Sequence, residues 1–171
     1  MHGLPIALSS DAQRRTVSLR PLSMNDADAI TRLLAGDTEL ALHTATIPIP
    51  YTIEAAHAFL ARADPLQNFA ILAADALVGG CGFKKEPDGV EIGYWIGRPY
   101  WGHGYATAAV RLLIEEARGR GLQHLYAEVF VENPASMRVL EKSGFVRETE
   151  VERDIPQRGG MRRVVRFHRE L

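Results

Sequence analysis

A long amphipathic helix that follows directly on a glycine-containing turn constrains the fold of this chain more than any other sequence feature. The helix is predicted from about His103 to Arg118, where glycines end it. Its apolar positions fall on one face, at Ala106, Ala109, Val110, Leu113, Ile114 and Ala117. Strand-like segments flank it at 90–96 and 125–131. This order predicts a β–α–β crossover in which the helix covers one face of a sheet.

The rest of the sequence extends this unit into a mixed α/β domain. A strand near Val17 comes first, and two helices follow, the second N-capped by Thr52. Short turn sequences divide the next part into an antiparallel meander of three strands, at 69–73, 77–84 and 90–96. A short helix and two strands complete the chain, at 133–143, 146–154 and 161–168. We therefore expect a mostly antiparallel central sheet of about seven strands with four helices.

Length and composition limit the class of protein. With 171 residues, 46% of them hydrophobic and 24% charged, the chain has the make-up of one globular domain. Residues 1–14 are predicted to be a flexible segment, and 15–171 the domain. A net charge of -1 gives no general attraction to nucleic acid or to an anionic membrane, so neither partner is expected. No run of about 18 apolar residues occurs, and we expect a cytoplasmic protein.

The single cysteine, Cys81, bears on both compartment and chemistry. One cysteine forms no internal disulfide, which fits a reducing compartment. It lies in the apolar segment 77–83 and is predicted to be a core residue, not a nucleophile. Zinc-finger motifs need cysteine pairs, and we predict no metal site.

The turn before the long helix has the chemistry of a phosphate site. Glycines at 102 and 104 let the backbone approach an anion closely, and the N–H groups of a first helical turn donate to phosphate oxygens. Two glycines are equally compatible with a simple tight turn. The chain has no P-loop motif, and Thr107 stands where a dinucleotide-binding fingerprint needs its third glycine. Glu128, in the following strand, is the one feature that keeps a dinucleotide-binding module as an alternative.

Three segments together carry a specific family resemblance. Residues 91–96 (EIGYWI), 100–107 (YWGHGYAT) and 133–145 (NPASMRVLEKSGF) resemble the GNAT N-acetyltransferases, in their RimJ/RimL-like branch. The likeness covers about residues 16–168. It implies the GNAT fold and an acyltransferase that moves acetyl from acetyl-coenzyme A (acetyl-CoA) to a primary amine, with no metal. A homodimer is compatible with it.

The resemblance also implies the residues of the site. Pro99 stands where the family's cradle motif has a basic or amide residue, which shifts pyrophosphate binding to backbone N–H groups. Asn133 has a second role open to it, since Asn before Pro is also a common helix cap. The predicted cofactor-binding residues are Trp95, Ile96, Gly97, Trp101, Gly102, His103, Gly104, Tyr105, Ala106, Thr107 and Asn133.

Two catalytic residues follow from the same resemblance. Glu91 matches a carboxylate that takes the amine's proton, which is needed because only a neutral amine attacks a thioester. Ser136 matches a serine proposed to protonate the departing thiolate, whereas other GNAT enzymes use a tyrosine at the position held here by Leu140. Bonding of the Ser136 hydroxyl to its own helix backbone is the alternative. Backbone N–H groups near Ile96 are expected to stabilise the oxyanion.

The acceptor pocket is expected to be built from two segments, 36–51 and 153–160. Their charged and titratable residues mix signs and select no substrate class: Asp37, Glu39, His43, Arg153, Asp154 and Arg158. The resemblance suggests a protein N-terminal α-amine, as in ribosomal-protein acetylation, or a small-molecule amine. A GNAT-like protein that binds coenzyme A (CoA) without catalysis is a further alternative.

Overall fold

The fold is a seven-stranded sheet with helices on both faces. A computed structural model describes residues 16–171, so the predicted flexible segment 1–14 lies outside the described residues. The strands are β1 (Val17–Pro21), β2 (Asn68–Ala73), β3 (Ala76–Glu86), β4 (Gly89–Ile96), β5 (His124–Phe130), β6 (Val146–Ile155) and β7 (Gly160–Glu170). The α-helices are α1 (Ala27–Leu34), α2 (Thr38–Leu42), α3 (Ile53–Leu60), α4 (Tyr105–Gly119) and α5 (Pro134–Lys142).

The sheet is antiparallel except at its centre. Its strand order is β1-β2-β3-β4-β5-β7-β6. The central strands β4 and β5 run parallel, as the crossover through α4 requires, and their register contains one pair, Glu91 with Tyr126. The predicted mixed, mostly antiparallel sheet is confirmed. A dinucleotide-binding module needs a mostly parallel, doubly wound sheet, so that alternative is excluded.

Two apolar cores lie on opposite faces of the sheet. One contains the buried side chains of α4 and Leu140 of α5, and we call this side the α4 face. The other contains those of α1, α2 and α3, and we call it the α1 face. Successive side chains of a strand point to opposite faces. On β4, Tyr94 accordingly packs on the α4 face and Trp95 on the α1 face.

The helices differ from the prediction in two details. The five-residue helix α2 was not predicted, because a helix this short shows no clear apolar periodicity. Asp37 caps it, accepting a hydrogen bond from the backbone N–H of Leu40 at 3.0 Å. Helix α4 begins at Tyr105 and not at His103, because Gly104 takes a left-handed conformation with φ 78° as its N-cap.

Cys81 is a buried residue of β3, as predicted, and burial raises the pKa of its thiol. A thiol that stays protonated is a poor nucleophile. Within residues 16–171, no helix combines the length and apolar character needed to cross a bilayer.

Candidate active site

A gap opens between the central strands beyond their single pair. Gly97 donates its backbone N–H to the carbonyl of Val78 on β3, at 2.9 Å. Because backbone groups alternate between the two edges of a strand, the N–H and C=O of Ile96 point to the other edge, into the gap. The indole Nε1 of Trp101 donates to that carbonyl at 2.6 Å. Trp101 therefore lies at the mouth of the gap, with the N–H of Ile96 beside it.

The turn after the gap is an open cradle of backbone N–H groups. Gly102 and Gly104 have φ of 76° and 78°, and a Cβ added to either would meet nothing within 4 Å. The N–H groups of both glycines and of His103, Ala106 and Thr107 have no acceptor among residues 16–171. These groups, at the positive end of the dipole of α4, suit an anion such as a pyrophosphate.

Of the described residues just before the cradle, Arg98 and Pro99, neither supplies it with a free cationic side chain. Pro99 lies in a short 3-10 turn, and Arg98 beside it donates to Asp37 at 2.8 Å and to Glu39 at 2.7 Å. Its guanidinium also lies 4.8 Å from the centroid of the Trp101 ring. Since this arginine is already engaged, anion binding here depends on the backbone.

The other predicted cofactor residues divide by position. The His103 ring stacks on Tyr105, whose side chain is buried in the first turn of α4. Trp95 packs on the α1 face, and a Cβ on Gly97 would lie 2.7 Å from Leu33 of α1. The structure therefore brings His103 to the cradle, whereas neither the Trp95 ring nor the Gly97 N–H points to it.

The start of α5 places Ser136 on the α4 face of β4. Asn133 caps the helix, its Oδ1 accepting from the backbone N–H of Ser136 at 3.1 Å. The Ser136 hydroxyl lies 2.7 Å from the Tyr94 hydroxyl and does not bond to its own helix. Burial raises the pKa of Tyr94 to about 12. Tyr94 was not among the predicted site residues, although the alternation along β4 places it on this face.

Glu91 lies on the opposite face of β4 from Tyr94. Its carboxylate is partly buried and has no hydrogen bond or ion pair within residues 16–171. Burial, and then the negative charge of Glu128, raise its pKa. Glu128 itself is bound by Arg153 at 2.6 Å and Arg166 at 3.1 Å. A partly desolvated carboxylate with a raised pKa is suited to take a proton near neutral pH.

The two segments expected around the acceptor meet through one buried arginine. Arg158, 7% exposed, donates to the carbonyls of Thr44 at 2.8 Å and Ala41 at 2.7 Å, and also to that of Ile47. These bonds join the loop between β6 and β7 to the segment that contains α2. Arg158 was expected to contribute its charge to the acceptor pocket, and this structural role was not predicted.

Most of the mixed charges of these segments are engaged internally. Asp37 and Glu39 bind Arg98, and Arg153 binds Glu128. Arg158 bonds only to backbone carbonyls, so it, His43 and Asp154 are the acidic, basic or histidine residues of the two segments without an ion-pair partner among the described residues.

Comparison with known proteins adds an independent line of evidence. The family model described as acetyltransferase (GNAT) domain matches residues 16–146. The chain is 29% identical over 143 residues to the uncharacterized N-acetyltransferase p20 of Bacillus licheniformis, covering 77% of this chain and 80% of that protein.

Two solved structures share the fold. One is RimL, a ribosomal L7/L12 α-N-protein acetyltransferase in complex with CoA. Its TM-score is 0.80 at 19% identity, and the alignment covers 91% of this chain and 94% of that chain. The other is Mycobacterium smegmatis RimJ in complex with CoA-disulfide. Its TM-score is 0.78 at 23% identity, and the alignment covers 98% of this chain and 86% of that chain.

Proposed function

The chain belongs to the GNAT acetyltransferase family, and from this premise we propose that it is a RimJ/RimL-like member that transfers acetyl from acetyl-CoA directly to a primary amine. The observation that carries the proposal is the gap between β4 and β5. An anion cradle lies at its mouth, hydroxyl groups lie on one face of β4, and a carboxylate lies on the other. The bound acetyl-CoA would supply an activated acetyl thioester.

The cradle would hold the pyrophosphate of the cofactor on the α4 face. Backbone N–H groups at Gly102, His103 and Gly104, with those of Ala106 and Thr107, provide the donors. The Trp101 ring, 39% exposed, provides an apolar surface beside them. Asn133 retains its side-chain amide N–H groups while its oxygen caps α5.

Glu91 would take the proton from the attacking amine. Its raised pKa brings it closer to neutral pH than an exposed glutamate, which favours proton transfer from an amine. Glu91 lies on the α1 face, the side of the arginine-linked segments. The acceptor would therefore approach β4 from the side opposite the cofactor.

The N–H of Ile96 would stabilise the oxyanion, since it points into the gap. Ser136, on the α4 face, would protonate the departing sulfur. Positioning of the two substrates on either side of one gap supplies further acceleration, because it converts a bimolecular step into a local one. The attack is direct, and the buried thiol of Cys81 takes no part.

Among amines, we propose a protein N-terminal α-amine first and a small-molecule amine second. An α-amino group has a reference pKa of about 8, against about 10.4 for an alkyl amine such as that of lysine, so a far larger fraction of α-amine than of a small alkyl amine is neutral at pH 7. The protein α-amine activity in the name of RimL supports the same order.

The test is a thiol-release assay with acetyl-CoA and peptides that carry a free α-amine. Identical peptides with an acetylated N-terminus are the matched controls, and small amines form a second panel. We expect thiol release with free amines and an added acetyl group at the peptide N-terminus by mass spectrometry. Tight CoA binding without release on any amine would refute the proposed transfer and favour a CoA-binding regulatory protein.

A further inference from the structure

Tyr94 and Ser136 form a hydrogen-bonded pair across two elements beside the gap. The Tyr94 hydroxyl lies 2.7 Å from the Ser136 hydroxyl and 3.2 Å from the Ser136 carbonyl oxygen. The residues are 42 positions apart, one on β4 and one in the first turn of α5. The two hydroxyls therefore lie on the same side of β4 as the cofactor cradle.

The two hydroxyls differ in acidity. An aliphatic alcohol is a far weaker acid than a phenol, whose reference pKa is about 10. In this site burial raises the pKa of Tyr94 to about 12, and the bond from Ser136 opposes that rise. The phenol therefore stays protonated throughout the neutral range and remains the more acidic member of the pair. Among the described residues, it is the one ionisable side chain hydrogen-bonded to the Ser136 hydroxyl.

We propose that Tyr94 is the proton source behind Ser136, so that the two hydroxyls act as one proton-donating unit. This inference rests on the proposed acetyl transfer. When the carbon–sulfur bond breaks, its electron pair goes to sulfur and Ser136 gives its hydroxyl proton to that sulfur. The Ser136 oxygen takes the phenolic proton of Tyr94 in the same step. Water then restores the phenol, while the proton that Glu91 took from the amine passes to water, so protons balance over the cycle.

A purely structural role for the pair predicts different behaviour. As a clamp between β4 and α5, the bond would affect stability and cofactor binding, and its loss would raise KM for acetyl-CoA. As a proton source, Tyr94 acts through Ser136 and is a positioning residue for it. Its loss would lower kcat with little change in KM. The substitution Tyr94→Phe keeps the ring in the core and removes only the hydroxyl.

The first test needs no turnover. The ultraviolet absorbance of the thiolate is followed as protein-bound CoA is titrated with base, for the wild type, Tyr94→Phe and Ser136→Ala. A hydrogen-bond donor stabilises a thiolate, so both variants are expected to move the thiol titration to higher pH by about one unit. Ser143→Ala is the matched control, because that hydroxyl donates to the carbonyl of Val139 within α5. An unchanged titration in Tyr94→Phe would overturn the proposal, even if the protein showed no transferase activity.

The second test is a double-mutant cycle on kcat. Tyr94→Phe and Ser136→Ala are each expected to lower kcat by about 10- to 100-fold, and the double variant by no more than the larger single loss. Tyr94→Phe with Ser143→Ala should lose only what Tyr94→Phe loses. If the kcat losses of Tyr94→Phe and Ser136→Ala multiplied in the double variant, the two hydroxyls would not act as one proton-donating unit. A rise in KM for acetyl-CoA at constant kcat would overturn the proposal as well. Absence of activity in the wild type would instead count against the proposed function alone.

Discussion

Glu91 and Tyr94 lie three residues apart on β4, and their side chains lie on opposite faces of the sheet. The odd spacing produces this arrangement, since side chains of a strand alternate between faces. A carboxylate with a raised pKa is thereby separated by one strand from the hydroxyl pair of Tyr94 and Ser136. Beyond the Glu91–Tyr126 pair the strands part. Direct acetyl transfer requires a proton acceptor and a proton donor, and these groups lie on opposite faces of β4 beside the gap.

Replacement of Glu91 by Gln tests the base. We expect kcat/KM at pH 7 to fall by about 100-fold, because the amine loses its proton acceptor. In the wild type, activity is lost as pH falls through the raised pKa of Glu91, since the carboxylate form is the base. The pH profile of Glu91→Gln should lack that loss and follow the amine alone. A profile identical in shape to that of the wild type would contradict the assignment.

The stability of the same variant is its control. A carboxyl group whose pKa is raised by folding stabilises the protein below its unfolded pKa and loses that contribution as pH rises through the folded pKa. Glutamine has no such dependence. Relative to the wild type, Glu91→Gln should therefore gain Tm between about pH 4.3 and neutrality, as measured by thermal unfolding. A Tm below that of the wild type at neutral pH would show that the substitution destabilises the fold, and the loss of activity would then not be assigned to the missing base.

Replacement of Gly104 by Ala tests the cradle. A non-glycine residue at φ 78° costs about 1–2 kcal/mol of folding free energy, and its methyl group would project into the open space beside the cradle. We expect Kd for CoA to rise at least about tenfold. Gly119→Ala is the matched control, because its Cβ also meets nothing within 4 Å and its φ is not positive. Calorimetry that finds equal Kd values for the two variants would contradict a cradle at Gly104.

Replacement of Arg158 by Met tests the link between the two acceptor segments. The loss leaves four backbone carbonyls, those of Ala41, Thr44, Ile47 and Gln157, without their charged donor, and the free energy of unfolding should fall by about 3 kcal/mol. KM for the amine should rise more than KM for acetyl-CoA. Arg163→Met is the control, since that arginine pairs with Glu150 at the surface. An equal rise in both KM values would place the acceptor elsewhere.

Gly93 offers a test of where the acceptor approaches. Packing explains why Gly80 and Gly82 on β3 are glycines. A Cβ on Gly80 would lie 2.6 Å from the Trp95 ring, and one on Gly82 would lie 2.1 Å from the Gln67 carbonyl oxygen. Gly93 meets nothing within 4 Å and lies between Glu91 and Trp95 on the α1 face. A glycine inside a strand often marks close approach of a ligand.

We therefore expect Gly93→Ala to fold with unchanged Tm and to raise KM for the amine by about tenfold, while Kd for CoA stays constant. Steady-state kinetics with acetyl-CoA and amine varied in turn measure both effects. An unchanged KM for the amine would show that the acceptor does not pass over Gly93.

Local patterns made much of this architecture predictable. Helix α4, the meander of β2 to β4 and the parallel contact of β4 with β5 follow from apolar periodicity, turn residues and the crossover. The position of Glu91 relative to Tyr94 also follows from strand alternation alone.

Contacts between distant segments were not predictable in the same way. The bond of Tyr94 to Ser136 spans 42 residues, and that of Arg158 to Ala41 spans 117. Nothing in the local sequence specifies such partners, because they depend on how helices and loops pack around the finished sheet. Arg158 was therefore expected to contribute charge to the acceptor site, whereas its guanidinium is used to hold a loop.

The most direct test of acetyl transfer through the gap is the affinity of a bisubstrate conjugate, in which the sulfur of CoA is joined through an acetyl bridge to the α-amine of a peptide. Such a molecule occupies both faces of β4 at once, so its Kd should lie at least about 100-fold below that of CoA. Its advantage over CoA should shrink in Gly93→Ala. A conjugate that binds no more tightly than CoA in the wild type would contradict an acceptor site across the gap from the cofactor.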